Sequence, residues 1–72
     1  MNVGEYCWVK NLTKWYPGVV REVKGGTAEV SYKHTRNDGL VTQKEGRRPI
    51  LDLRSRNPSL RGLDIPNLDG NQ

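Results

Sequence analysis

Turn-forming residues divide the first part of this chain into short segments. Within these segments, apolar and polar residues alternate rather than recur with a helical period. Gly25-Gly26 and Asn37-Asp38-Gly39 are both clusters that adopt left-handed backbone conformations at little steric cost. The segments between them are rich in Val, Trp, Tyr and Thr, which favour extended structure. No long stretch carries apolar positions at helical spacing. The sequence therefore predicts a meander of short antiparallel strands.

The alternation within each segment predicts which side chains face inwards. Residues 5–10 are predicted as a first strand, with Cys7 and Val9 on the inner face and Trp8 on the outer face. A large apolar ring on an outer face needs a cover, which either the C-terminal tail or a partner would supply. Residues 15–23 are predicted as a second strand.

Turn-forming residues also delimit the predicted strands that follow the second. Residues 27–32 form a third predicted strand, joined to the second by the tight Gly25-Gly26 turn. Residues 40–42 form a short fourth strand, which we expect residues 46–49 to interrupt. Residues 50–53 are predicted as a closing strand or a single 3₁₀ turn.

Pro17 and Gly18 are predicted to mark a special point of the second strand. Pro17 lacks a backbone N–H, so it is expected at an edge or a bulge. Gly18 leaves room for a close backbone approach.

These segments predict an all-β domain that closes on itself. Four or five short strands in about fifty residues are too few for a two-sheet sandwich, and an open meander leaves edges that invite aggregation. We therefore expect a small closed barrel of four to five short antiparallel strands over residues 1–53.

Residues 54–72 differ in composition and are predicted as a tail. Only 33% of the whole chain is hydrophobic and its mean hydropathy is −0.83, which indicates that part of it is not packed. Pro58 and Pro66 interrupt any helix there. The tail is predicted to be flexible or to dock on the barrel through its isolated apolar residues Leu60, Leu63, Ile65 and Leu68.

Composition limits the classes of function. One cysteine and one histidine provide neither an internal disulfide nor the usual four ligands of a structural zinc site, so no metal or cofactor is expected. His34 has no recognisable nucleophile or acid partner, so we expect no enzyme. No apolar run is long enough to cross a bilayer, and the N-terminal residues do not form a secretory signal. We expect an intracellular monomer that does not contact membranes.

Three short motifs resemble a known family. Val3-Gly4-Glu5-x-Cys7 leads into the first strand, Trp15-Tyr16-Pro17-Gly18-Val19-Val20 forms the second, and Ala28-Glu29-Val30-Ser31-Tyr32 precedes a polar turn. Over residues 3–53 this pattern resembles a Tudor domain of the Royal group, which includes the plant Agenet type. The resemblance implies a five-stranded SH3-like barrel with an aromatic cage for methylated lysine or arginine.

Position by position, the resemblance implies a partial cage. Tyr16 and Tyr32 match two cage aromatics, while Asn11 falls at or near a position that is commonly aromatic. The ligand would be a peptide, such as a methylated histone tail, and the protein would act in the nucleus. The remaining residues expected around the two tyrosines are Trp15, His34, Asn37 and Asp38.

A net charge of +4 supports a rival hypothesis, in which the protein binds nucleic acid. Cations around the cage mouth would also oppose a cationic ligand. Mixed-sign surface charge is equally what solubility alone produces, so the peptide and nucleic-acid functions both stay open, beside a purely structural domain. The rival basic surface consists of Lys10, Lys14, Lys33, Arg36, Lys44, Arg47 and Arg48, with Trp8 among its aromatic residues.

Overall fold

Five antiparallel strands form one sheet in the computed structural model, which describes residues 1–60 and 62–66. The strands are β1 (Tyr6–Asn11), β2 (Lys14–Lys24), β3 (Thr27–Thr35), β4 (Val41–Pro49) and β5 (Leu53–Ser55). The strand order is β4-β3-β2-β1-β5, so β5 returns to pair with β1 at the edge opposite β4. This confirms the predicted all-β class in a small barrel-like fold.

One face of the sheet forms the hydrophobic core. Cys7 and Val9 are fully buried on this face, as the alternation predicts. Val9 lies opposite Tyr16 of β2 on one side and opposite Leu53 of β5 on the other. Such cross-strand neighbours are close enough to pack directly. The core consists of Cys7, Val9, Val20, Ala28, Val30, Tyr32 and Leu53.

Gly18 lies at the tightest point of this core. It pairs with Cys7 of β1 and with Tyr32 of β3. A Cβ atom on Gly18 would lie 2.7 Å from the carbonyl oxygen of Ser31 and 2.9 Å from the Cβ of Tyr32. The close backbone approach predicted for Gly18 is therefore present.

Pro17 lies just before this point. It pairs with Trp8 of β1, while the β2–β3 ladder begins one residue later, at Gly18. The irregularity of β2 falls instead between Val20 and Glu22.

The fourth strand differs from its prediction. Residues 46–49 do not interrupt it, because β4 pairs continuously with β3 from Val41 to Pro49. Gly46 belongs to this ladder, opposite Val30, and a Cβ there would lie 2.9 Å from Nη1 of Arg48. The glycine thus accommodates an arginine side chain within the strand rather than ending it.

The closing segment combines the two structures proposed for it. Ile50–Asp52 form a 3₁₀ turn, and Leu53–Ser55 then form β5. A second 3₁₀ turn follows at Pro58–Leu60. None of the residues that the structure describes forms an α-helix.

The chain itself covers the outer face beside β1. Trp8 is only 5% exposed although it is not part of the core cluster. The guanidinium carbon of Arg56 lies 5.8 Å from the ring centroid of Trp8 and 4.9 Å from that of Tyr6. Arg56 also donates from Nε to the carbonyl oxygen of Cys7 and from Nη2 to that of Gly18. The segment after β5 therefore contributes to the cover that the sequence requires over Trp8.

The apolar side chains of the tail remain largely accessible to solvent. Leu60, Leu63 and Ile65 are exposed, while Leu68 and the predictions for residues 61 and 67–72 lie outside the described residues. Over the described part of the chain, no helix has the length and apolar character needed to span a membrane.

Candidate functional site

A cleft opens between the β1–β2 turn and the β3–β4 turn. Its volume is about 490 Å³, and it is lined by residues 11–14, Tyr16 and residues 34–38. Tyr16, His34, Asn37 and Asp38, which are four of the six residues expected around the cage, line this cleft. The topology brings them together because β2 and β3 are neighbours and both turns lie at the same end of the sheet.

Two rings form the aromatic wall of the cleft. The ring centroids of Tyr16 and His34 are 4.7 Å apart and their planes are inclined by 43°. Tyr16 is half-buried and also packs against the core. We call the pair Tyr16 and His34 the aromatic wall.

Tyr32 lies behind this wall rather than in the cleft. Its ring centroid is 6.2 Å from that of Tyr16, but its side chain belongs to the core and is 3% exposed. Nη2 of Arg48 donates a hydrogen bond of 3.0 Å to the Tyr32 hydroxyl. Tyr32 therefore supports Tyr16 and is not among the residues that line the cleft.

Trp15 points away from the cleft, as expected for the strand neighbour of Tyr16. It is half-buried, and the guanidinium carbon of Arg54 lies 5.7 Å from its ring. Trp15 is not among the cleft residues.

Asp38 is engaged within the β3–β4 turn. One carboxylate oxygen accepts a hydrogen bond from the backbone N–H of Leu40, and the other lies 3.3 Å from Nη2 of Arg36. Among the described residues, Lys14 and Arg36 also line the cleft, so the cations there outnumber the one carboxylate. This charge balance does not favour a cationic ligand.

Leu12 is a cleft residue that the sequence analysis does not single out. It lies at the first position of the two-residue turn between Asn11 and Lys14, with φ at 59° and its side chain 88% exposed. Glycine is usual where such turns need a positive φ. A leucine inside a two-residue hairpin turn is the sequence signal that points to this position.

Three of the seven basic residues of the rival surface contact other side chains of the protein. Arg36 and Arg47 form ion pairs with acidic residues, and Arg48 contacts Tyr32. Trp8 is buried and so not available for base stacking. The exposed lysines of the set are Lys10, Lys14, Lys33 and Lys44.

No group of three or more His, Cys, Asp or Glu side chains suited to a metal ion occurs among residues 1–60 and 62–66. Comparison with known protein families, curated proteins and solved structures gives no match for this chain.

Proposed function

We propose that this chain is a non-enzymatic reader or adaptor module that binds a peptide in the cleft between the β1–β2 and β3–β4 turns. The observation that carries the proposal is the aromatic wall of Tyr16 and His34, which lies open to a cleft of about 490 Å³. Concave sites with aromatic lining and a few polar groups are the usual form of ligand sites.

Leu12 supports the same assignment. A left-handed backbone conformation costs a leucine roughly 1–2 kcal/mol, and a side chain as exposed as that of Leu12 buries little apolar surface to offset this cost in the free protein. Strained backbone and exposed apolar side chains both concentrate at binding sites. A peptide lying between Leu12 and the aromatic wall would bury apolar surface on both sides.

The resemblance to Tudor domains extends the proposal to peptides with methylated lysine or arginine, such as histone tails, and to a role in the nucleus. A methylated ammonium gains about 0.5–1 kcal/mol from each exposed ring that it contacts. With centroids 4.7 Å apart, Tyr16 and His34 leave no space between them, so such a cation would lie against one side of the wall. We expect methylation to increase affinity modestly, because it leaves the charge of the lysine or arginine unchanged and Lys14 and Arg36 oppose that charge whether or not it is methylated.

The test is a binding titration with a panel of basic, acidic and neutral peptides, in which the lysine or arginine peptides are supplied unmodified and methylated. Tyr16→Ala and His34→Ala should each weaken the best peptide several-fold, because each removes half of the aromatic wall. Tyr6→Ala is the matched control, since it removes a tyrosine from the other face of the sheet. Circular dichroism confirms that each variant is folded.

Failure of every peptide to bind, or equal affinity of the Tyr16→Ala and His34→Ala variants with the parent chain, would overturn the proposal.

A further inference from the structure

A second depression lies across the outer face of the sheet, away from the cleft. Its volume is about 410 Å³. Cross-strand pairs form its floor, with Tyr6 of β1 opposite Val19 of β2 and Val19 opposite Ser31 of β3. Pro17 adds apolar surface, and Nε2 of Gln43 donates a hydrogen bond to the Ser31 hydroxyl. We call this depression the outer groove.

The charged side chains in the described lining of the outer groove are all cations. Arg21, Lys33 and Arg56 line it, and its described lining contains no aspartate or glutamate. The ion pairs found among the described residues involve none of these three cations. Glu45 lies opposite Ser31 in the β3–β4 ladder but is not part of the lining. A groove lined by one sign of charge attracts the opposite charge.

Arg56 is held in place before any ligand binds. Its Nε and Nη2 atoms donate to the carbonyl oxygens of Cys7 and Gly18, and its guanidinium carbon lies 4.9 Å from the Tyr6 ring centroid. These contacts use only part of the five N–H donors of an arginine. A guanidinium that is already ordered loses little conformational entropy when it binds a phosphate.

Tyr6 places an aromatic ring beside these cations. Its side chain is 48% exposed in the groove. Nucleic-acid bases stack on such rings without regard to sequence, and cations beside the rings bind the phosphates. The bases of a duplex are already stacked on each other and so are not free to stack on Tyr6. An acidic peptide would contact the cations but would make no use of the aromatic ring.

From this combination we infer that the outer groove binds single-stranded nucleic acid, with phosphates on Arg21, Lys33 and Arg56 and a base against Tyr6. The assignment is independent of the peptide cleft, which is lined by different residues. Of the cations in the basic surface predicted from the sequence, only Lys33 is among the described residues that line the outer groove.

Two charge variants test the phosphate contacts, using a fluorescent twelve-nucleotide oligothymidine at several salt concentrations. Arg21→Gln combined with Lys33→Gln should lower affinity at least ten-fold at low salt. It should also reduce the slope of log K against log salt by about 1.4, since each phosphate contact on a single strand contributes about 0.7. Lys24→Gln combined with Lys44→Gln removes the same charge outside the groove and should have a much smaller effect.

The Tyr6→Ala variant tests the base contact. It should lower affinity for oligothymidine roughly five-fold or more, but leave affinity for an abasic sugar-phosphate oligomer of the same length unchanged. Tyr6→Phe, which keeps the ring, should bind like the parent chain.

Three results would overturn the inference. These are no binding of oligothymidine at low salt, equal losses in the two double charge variants, and binding of a duplex or of polyglutamate as tight as that of oligothymidine.

Discussion

Tyr16 and His34 contact each other across β2 and β3 and present one continuous aromatic surface to the cleft. Tyr32 lies behind Tyr16 in the core and fixes its position from within. The geometry is therefore a wall backed by packed residues rather than two rings facing each other across a cavity. A wall of this kind suits a peptide that lies along the surface, and it binds a cation from one side only.

Replacement of Leu12 by asparagine should separate binding from stability. Asparagine adopts positive φ more readily than leucine, so the barrel should gain up to about 1 kcal/mol in free energy of unfolding. The apolar rim of the cleft is lost in the same variant, so peptide affinity should fall. Urea denaturation and a peptide titration measure the two effects. Leu51→Asn is the control, because Leu51 is an exposed leucine outside the cleft. A Leu12→Asn variant that is less stable than the parent would contradict the interpretation.

The Gly18→Ala variant should be destabilised by about 1–3 kcal/mol, the usual cost of overpacking. The added methyl would meet backbone and core atoms at 2.7 to 3.0 Å, among them the carbonyl oxygen of Ser31 and the fully buried side chain of Val9. Gly26→Ala is the matched control, since a Cβ there meets nothing within 4 Å and the φ of Gly26 is not positive. Equal unfolding midpoints in urea for the two variants would argue against the close approach.

Loss of the Arg56 side chain should expose Trp8. Arg56 packs over Trp8 and Tyr6 and donates two hydrogen bonds to backbone carbonyls. We expect Arg56→Ala to lower the free energy of unfolding and to shift tryptophan fluorescence to longer wavelength. Arg54→Ala is the comparison, because it uncovers Trp15 instead. The same two measurements in a Trp15→Phe background assign the spectral shift to Trp8, and no shift in that background would refute the covering role.

The thiol of Cys7 should be unreactive in the folded protein. Burial raises its pKa from 9.0 to about 11, and only the thiolate attacks thiol reagents. Labelling at pH 8 should be slow in buffer and fast in denaturant. Because the pKa is raised by folding, this group stabilises the fold fully below pH 9 and loses that effect as the pH approaches 11. Rapid labelling without denaturant would show that the core is more open than described.

Ionisation of Glu5 should make the stability of the folded protein depend on pH in the acidic range. The backbone N–H of Asn2 and then the hydroxyl of Ser55 donate hydrogen bonds to its carboxylate and lower its pKa below 4.5. A lowered pKa stabilises the folded state above pH 4.5, and this contribution disappears as the pH falls through the folded-state value. Thermal melts between pH 3 and pH 6 should therefore be less pH-dependent for Glu5→Gln than for the parent. Glu45→Gln, which removes another exposed carboxylate, should keep the parent's dependence.

Local signals predicted much of this fold. The inward position of Cys7 and Val9 follows from strand alternation, and the tight turn at Gly25-Gly26 follows from backbone freedom. The cleft is partly foreseen as well, because the family resemblance expects Tyr16 and His34 around one site, although His34 falls beyond the predicted third strand and lies in β3 only in the structure. The continuity of β4 through Gly46 is not foreseen. A glycine can end a strand or can leave room within a strand for a neighbouring arginine, and the sequence alone does not distinguish the two cases. Pairing with β3 decides that Gly46 lies within the strand.

The sequence by itself determined the all-β class, most of the strands and the turns that join them, because these depend on residues close to each other along the chain. Only the tertiary structure decided that Tyr32 belongs to the core, that Arg56 covers Trp8, and that Arg21, Lys33 and Arg56 share one groove. The physical reason is that burial and charge clustering depend on contacts between residues far apart in the chain. No local sequence pattern specifies which distant side chain packs against a given residue.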